Sequence, residues 1–250
     1  FYELEILDHL CESRNRTQDV LLRITPGIEA HTHEYIKTGQ IDSKFGFTLT
    51  DGQAWEAVKR ALQCPGLFLQ GLHCHIGSQI FEPESFQHTI ELMIEFMKKI
   101  KAETGYELAE LDLGGGFGIY YAPGDLPPTT EKWAEVIINH VKAQAEKAGL
   151  KMPRVIIEPG RALISPAGVT LYTIGSSKEV TGIRKYIAVD GGMNDNPRPA
   201  LYNARHSAII ANKAQLAADE TVSVAGKCCE SGDMLIWDVA LPQAEAGDIL

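Results

Sequence analysis

Apolar residues follow two rhythms along this chain. Up to about residue 165, short contiguous apolar runs alternate with longer stretches in which apolar positions recur every three or four residues. "DVLLRITPG", "GLFLQGLHCHIGS", "AELDLGGGFG" and "PRVIIEPGR" read as strands, each closed by Gly, Pro or Ser. "DGQAWEAVKRALQC", "EPESFQHTIELMIEFMKKIKAETG" and "TEKWAEVIINHVKAQAEKAG" read as helices. The first has an Asp cap and an apolar face of Trp55, Val58 and Leu62, the second a face of Phe86, Ile90, Met93 and Met97, and the third ends at Gly149. Strands apolar on both faces, alternating with helices, predict a parallel sheet covered by helices. Four such units, half of what a closed (β/α)8 barrel needs, predict its second half over residues 1–165.

After residue 165 the rhythm changes. "GVTLYTIGSSKEV", "RKYIAVDGG", "HSAIIANK", "ETVSVAG" and "DMLIWDVALP" read as short strands with Gly, Asp and Pro between them. Residues 166–250 are therefore expected to form part of an all-β domain, sandwich-like or barrel-like. The overall class is α/β plus all-β. Both ends read as cut: the chain opens at Phe1 inside an expected helix and stops at "AEAGDIL", where a strand begins.

Composition narrows the function. The net formal charge of −10 gives no positive field for a phosphodiester backbone, which excludes nucleic acid as the expected partner. No apolar run reaches the roughly 18–20 residues of a membrane span. Cys11, Cys64, Cys74, Cys228 and Cys229 are odd in number and form no CxxC, against both a disulfide framework and a zinc ribbon. A reducing, cytoplasmic compartment is expected, although a leader upstream of Phe1, a plastid transit peptide included, stays open.

Polar residues gather where the expected parallel strands end, the edge at which such sheets keep their chemistry. Gly114, Gly115 and Gly116 have no Cβ and could offer backbone N–H groups to a phosphate, or could simply make a tight turn. His73 and His75, two apart, share a face of an expected strand. With the second pair His31 and His33 they could bind metal, they could be structural, or an imidazole could lie against an aromatic cofactor. The neighbouring glycines favour the last, because a ring carrying a phosphate is one ligand. Glu158 follows an apolar strand, where a buried carboxylate needs a positive partner: Arg161, or a cationic ring nitrogen. Arg198, between Pro197 and Pro199, could clamp a carboxylate, with Tyr202 four residues on. Cys228 and Cys229, on a segment read as extended, should face opposite ways, Cys228 packing as a small apolar residue.

Together, "GLHCHIGSQI", "LDLGGGFGI", "IIEPGRALI", "VDGGMNDNPRPALYNA" and "CESGD", with "DSKFGF" at 42–47, resemble the diaminopimelate decarboxylases, a branch of the alanine-racemase-like (fold type III) PLP-dependent decarboxylases. The resemblance implies pyridoxal 5'-phosphate as cofactor. His75 would stack on its ring, and Ser78, Gly114, Gly115 and Gly116 would hold its phosphate. Glu158 would pair with the ring nitrogen, with Pro159, Gly160 and Arg161 completing that cofactor segment. Arg161, Arg198 and Tyr202 would grip the distal carboxylate of the substrate, and Glu230 its distal ammonium. Cys229 would protonate the carbon that loses CO2. The implied reaction is conversion of meso-2,6-diaminopimelate to L-lysine by a cytoplasmic homodimer whose subunits share their sites.

The lysine that bonds the cofactor in this family would precede Phe1, and Lys44 belongs to a different motif, so the chain alone is expected to be inactive. Arg205 stands where the family commonly has an aromatic residue. Neighbouring readings are a decarboxylase of carboxynorspermidine, arginine or ornithine, a metal-dependent barrel hydrolase using His73 and His75, and a non-catalytic PLP-binding protein.

Overall fold

Strands joined through helices must run parallel, and the computed structural model, which describes residues 1–27 and 42–250, has that arrangement. The chain divides into two units, one of residues 1–119 and 126–165, the other of residues 120–125 and 166–250.

The first unit has strands β1 (Gln18–Thr25), β2 (Phe47–Thr48), β3 (Leu67–His73), β4 (Glu110–Asp112) and β5 (Arg154–Ile156), all parallel, in the order β2-β1-β3-β4-β5. Helices α1 (Tyr2–Ser13), α2 (Gln53–Ala61), α3 (Pro83–Thr104), α4 (Thr130–Ala148) and α5 (Arg161–Ile164) intervene. Local chemistry sets the helix ends. Pro83 opens α3, and Gly105 closes it in the left-handed conformation. The Thr129 side chain accepts from Lys132 N–H to cap α4, and left-handed Gly149 ends it. The expected face of α3 is the buried one: Phe86, Ile90, Met93 and Met97 lie in the core. Phe86 stacks on Phe117 at 5.0 Å, and both meet the Trp133 ring of α4 at 5.3 and 5.2 Å. β2 was not anticipated; two residues of "DSKFGFT" pair with the end of β1, where apolar periodicity is too short to register.

The second unit has one four-stranded mixed sheet: β6 (Ile174–Val180), β7 (Arg184–Val189), β8 (Glu220–Ala225) and β9 (Met234–Leu241), in that order. β7 and β8 are parallel and the outer pairs antiparallel. Ile174, Ile187, Val222, Val224 and Leu241 form its core. "HSAIIANK" is not a strand. Ile210 is buried, but the backbone then turns into a 3-10 segment, Ala211–Lys213. Side chains replace a ladder there: Lys213 and Asn212 both bond Asp248, and Asn212 accepts from Ile249 N–H. The final "DIL" does pair as a strand would, Leu250 exchanging two backbone bonds with Tyr172.

The Phe86–Phe117–Trp133 cluster ties α3 and α4 to the end of β4. Phe86→Ala in the full-length protein should cost about 3–5 kcal/mol, read as a lower urea midpoint; Phe86→Leu should cost far less.

Candidate active site

Parallel register places the polar strand ends side by side. His73 is opposite Asp112, and Asp112 opposite Ile156. Backbone pairing continues past the strands: Cys74 N–H donates to Asp112 (2.9 Å), Leu113 N–H to Ile156 (3.0 Å), Glu158 N–H to Gly114 (2.7 Å) and Ile80 N–H to Gly116 (2.9 Å). The segments after β3, β4 and β5 therefore leave the sheet together at its carboxyl edge.

The glycines sit between the other two segments. A Cβ on Gly115 would lie 2.0 Å from the Glu158 carbonyl, and one on Gly116, whose φ is +95°, 2.0 Å from the Gly77 carbonyl. Any larger residue would push these strand ends apart. The expectation that all three glycine N–H groups face a phosphate needs correcting. Gly114 N–H donates to Asp112 Oδ1 (2.9 Å) and Gly115 N–H to His75 Nδ1 (3.1 Å). Among the described residues only Gly116 N–H, of the three, has no protein acceptor.

The Gly115 bond also fixes the tautomer of His75. An Nδ1 that accepts carries no proton, so the neutral ring is protonated at Nε2. Burial, together with the nearby Arg23 and His73, lowers the His75 pKa, which agrees with a neutral imidazole. His75 lies past the end of β3 rather than on it, and His73 turns to a different partner: its Nε2 is 3.4 Å from Glu158 Oε2. The Glu158 side chain is 54% exposed, against the expected burial, because β5 is the edge strand of the described sheet and its own apolar residues are only partly covered. The Arg161 guanidinium donates to the Ser78 hydroxyl. Asp112, 5% exposed, completes a group: ligand atoms of His73, Asp112 and Glu158 all lie within 4.8 Å of one another. Burial raises the Asp112 pKa, the Gly114 N–H opposes that, and neighbouring Glu158 adds to it. Pro159 and Gly160 form the turn into α5, Pro159 accepting from Ala162 N–H (3.0 Å), and so present Arg161.

This donor set fits a phosphorylated, nitrogen-bearing ring. Ser78, Gly116 N–H and Arg161 together suit an anion, and the cradle around Gly116 is one that a Cβ would fill. Glu158 suits a ring cation, and the neutral His75 imidazole suits a flat aromatic face.

The other predicted residues lie in the second unit. Arg198 opens the short helix α6 (Arg198–Tyr202), its guanidinium 5.5 Å from each of the Tyr121 and Tyr202 rings, which hold it by cation–π contact. The "CESGD" segment is a turn, not extended: Glu230 N–H bonds Cys228, and Asp233 N–H bonds Glu230. Cys229 is nevertheless exposed and Cys228 half-buried. Cys228 does not pack as a purely apolar residue, since its Sγ lies 3.7 Å from Asn194 Oδ1. Glu230 Oε1 accepts from Gly232 N–H and Ser231 Oγ. Buried Asp233 accepts from Met193 N–H (2.6 Å) and Cys228 N–H (2.8 Å), tying this turn to the loop that leads into α6.

Asp112, Asp233 and Gln79, whose amide exchanges two bonds with the Ile119 backbone, carry structural weight that the motifs alone did not assign. The available signal was a carboxylate or amide placed beside glycines or within an apolar strand. His31 and His33 lie outside the described residues. The five cysteines are free, as their number and spacing suggested.

The lowered His75 pKa has a signed consequence. Below about pH 6.5 the unfolded chain takes up a proton at this site that the folded chain resists, so stability falls as pH drops through that value. Thermal melts of the full-length, cofactor-free protein should show this acid slope, and His75→Gln, which keeps an acceptor for Gly115 N–H, should flatten it.

Comparison with known proteins agrees with this geometry. Residues 1–165 match the family described as pyridoxal-dependent decarboxylase, pyridoxal binding domain. The chain is 54% identical over 250 residues to diaminopimelate decarboxylase of Bacillus methanolicus, covering all of this chain and 58% of that protein. It is 52% identical to the Bacillus subtilis diaminopimelate decarboxylase, again over all of this chain and 57% of the relative. The crystal structure of diaminopimelate decarboxylase from M. jannaschii with L-lysine superposes with a TM-score of 0.85 at 36% identity, covering 99% of this chain and 56% of that one. The chain thus spans somewhat over half the length of the relatives it matches. A parallel sheet wrapped by helices and a separate mixed sheet, the expected α/β plus all-β class, is the fold these relatives share, and with that fold, the strand-end donor set and the family match over residues 1–165, the chain belongs to the pyridoxal-dependent decarboxylases.

Proposed function

We propose that the protein to which this chain belongs decarboxylates meso-2,6-diaminopimelate to L-lysine and CO2, using pyridoxal 5'-phosphate. The observation that carries the cofactor half is the convergence of Ser78, Gly116 N–H, Arg161, His75 and Glu158 at three neighbouring strand ends. The substrate half is supported by 54% identity to a relative named for that substrate. Residues 1–165 would be the cofactor-binding part of the barrel, a reading supported by the span of the family match, and 166–250 part of the C-terminal β domain.

The bound cofactor supplies an electron sink for the carbanion left when CO2 departs. The chain's own residues do the rest. Ser78, Gly116 and Arg161 hold the phosphate; the Arg161–Ser78 bond weights Arg161 toward this role over substrate binding. Neutral His75 offers a flat, uncharged face, and the Glu158 carboxylate keeps a ring nitrogen cationic. Arg198, steadied by two tyrosine rings including that of Tyr202, takes the distal carboxylate, and Glu230 the distal ammonium. One carboxylate and one ammonium at the far end match one guanidinium and one carboxylate, a set that a simple diamine-forming substrate would not need. Exposed Cys229 gives its thiol proton to the carbon that has lost CO2, and solvent restores it. Exposure of Cys229 and Glu230 on one turn also fits a working homodimer in which that turn serves the partner's site. Among the described residues no helix is long and apolar enough to cross a membrane, in keeping with a cytoplasmic enzyme.

With the full-length protein, CO2 release is expected from meso-diaminopimelate and not from ornithine, arginine or carboxynorspermidine; turnover of one of those instead would overturn the substrate. Cys229→Ala should lower the rate by about a hundredfold or more, while Cys228→Ala stays within a few-fold of the parent. Equal losses in the two variants would remove Cys229 as the proton donor.

A further inference from the structure

We propose that His73 is a positioning residue: with buried Asp112 beside it, it aims the Glu158 carboxylate toward one ring cation. The inference rests on the cofactor reading above but concerns groups that this reading leaves unused.

Three elements build the arrangement. His73 ends β3, Asp112 ends β4 in register with it, and Glu158 follows β5 two residues past Ile156, which is in register with Asp112. The backbone bonds that continue beyond the strands hold the three Cα positions in fixed relation. His73 Nε2 lies 3.4 Å from Glu158 Oε2, and all three groups place a polar atom within 4.8 Å of the others. Asp112 Oδ1 is anchored by Gly114 N–H, so that carboxylate cannot swing away.

Charge gives the role. Two carboxylates this close repel, and one of them is buried. That repulsion would turn the exposed Glu158 carboxylate away, and the His73 imidazole, 3.4 Å from its Oε2, holds it where a ring cation can meet it. Without His73 that contact is lost and the carboxylate is free to leave the ring cation. Neighbouring charges are disposed around this group. Arg23 on β1 is in register with His73 and lies 4.4 Å from the Phe45 ring. Glu110 on β4 is ion-paired with Arg154. On the segment of His73 itself stand neutral His75 and buried Cys74, whose thiol is pushed up by burial and by Asp112. Removing His73 therefore removes the side chain that touches Glu158, and Arg23 is the cation left beside the site.

The test uses the full-length protein loaded with pyridoxal 5'-phosphate, comparing the parent with His73→Ala and His73→Gln. Two quantities are read: the cofactor dissociation constant by equilibrium dialysis, and the midpoint of the pH-dependent visible absorbance of bound cofactor. His73→Ala should weaken cofactor binding about tenfold and lower the pH up to which the ring cation persists by about one unit, the same change in free energy. His73→Gln, which can still bond Glu158, should recover most of the affinity and most of the midpoint. A purely structural role would change affinity without moving the midpoint. Parent-like affinity and midpoint in both variants would overturn the inference while leaving the cofactor reading intact. A parent that binds no pyridoxal 5'-phosphate would overturn both. Stoichiometric zinc or manganese retained by the cofactor-free parent and lost in His73→Ala would make the three groups a metal site, and would likewise overturn it. If His73→Ala does not fold, His73→Leu, which fills the space without a hydrogen bond to Glu158, takes its place with the same expected changes.

Discussion

The site of the first unit depends on how closely three strand ends can approach, and that distance is set by missing side chains. Gly71 brings β3 against β4: a Cβ there would lie 2.0 Å from the Glu110 carbonyl. At the edge of the sheet Gly114, Gly115 and Gly116 continue the approach, meeting the carbonyls of Cys74, Glu158 and Gly77 in turn. Only with those contacts do backbone bonds persist past the last strand residues, and only then are the side chains that follow them held rather than loose. The glycine run thus acts first as a spacer and second as a lining. Two of its N–H groups serve the protein itself, one anchoring Asp112 and the other setting the tautomer of His75.

Polarity at this edge is graded. Apolar side chains fill the strands up to their last residues, with Leu72, Leu111 and Leu113 fully buried. At the strand ends themselves stand Asp112 in the interior and His73 largely covered, and two residues past β5 comes Glu158, half-exposed. A cationic ring placed over this gradient would meet a carboxylate that is half-exposed yet steadied from behind by His73. On the other flank Arg161 and Ser78 provide the opposite polarity for an anion. The two ends of a phosphorylated, nitrogen-bearing ring thereby find opposite charges a few residues apart in sequence, at Glu158 and Arg161.

The second unit uses the same device with different parts. Gly192 and Gly226 leave room for the buried Asp233 carboxylate, which a Cβ on either would meet at 2.6 and 2.2 Å. That carboxylate accepts N–H groups from two loops and so fixes the turn carrying Cys229 and Glu230 relative to the segment that leads into Arg198. Here too a buried charge is tolerated because backbone donors surround it, and its benefit is the placing of exposed neighbours.

Much of this was legible in the chain alone. Strands apolar on both faces and helices with a 3.6-residue stripe report burial directly, so β1, β3, β4, β5, α3 and α4 could be read, along with the change of architecture near residue 165. The polar residues at strand ends could be found too, because a carboxylate or histidine following an apolar run is conspicuous. Which of them touch could not be read. That Arg161 turns to Ser78 and Glu158 to His73, that Gly115 bonds His75, and that "HSAIIANK" is held by Lys213 and Asn212 instead of a ladder, all depend on partners 35 to 85 residues away. Sequence determines which residues are buried and which types of chemistry are present, because those follow from local pattern and composition. Pairing is decided by strand register and close packing, which exist only once the chain is folded.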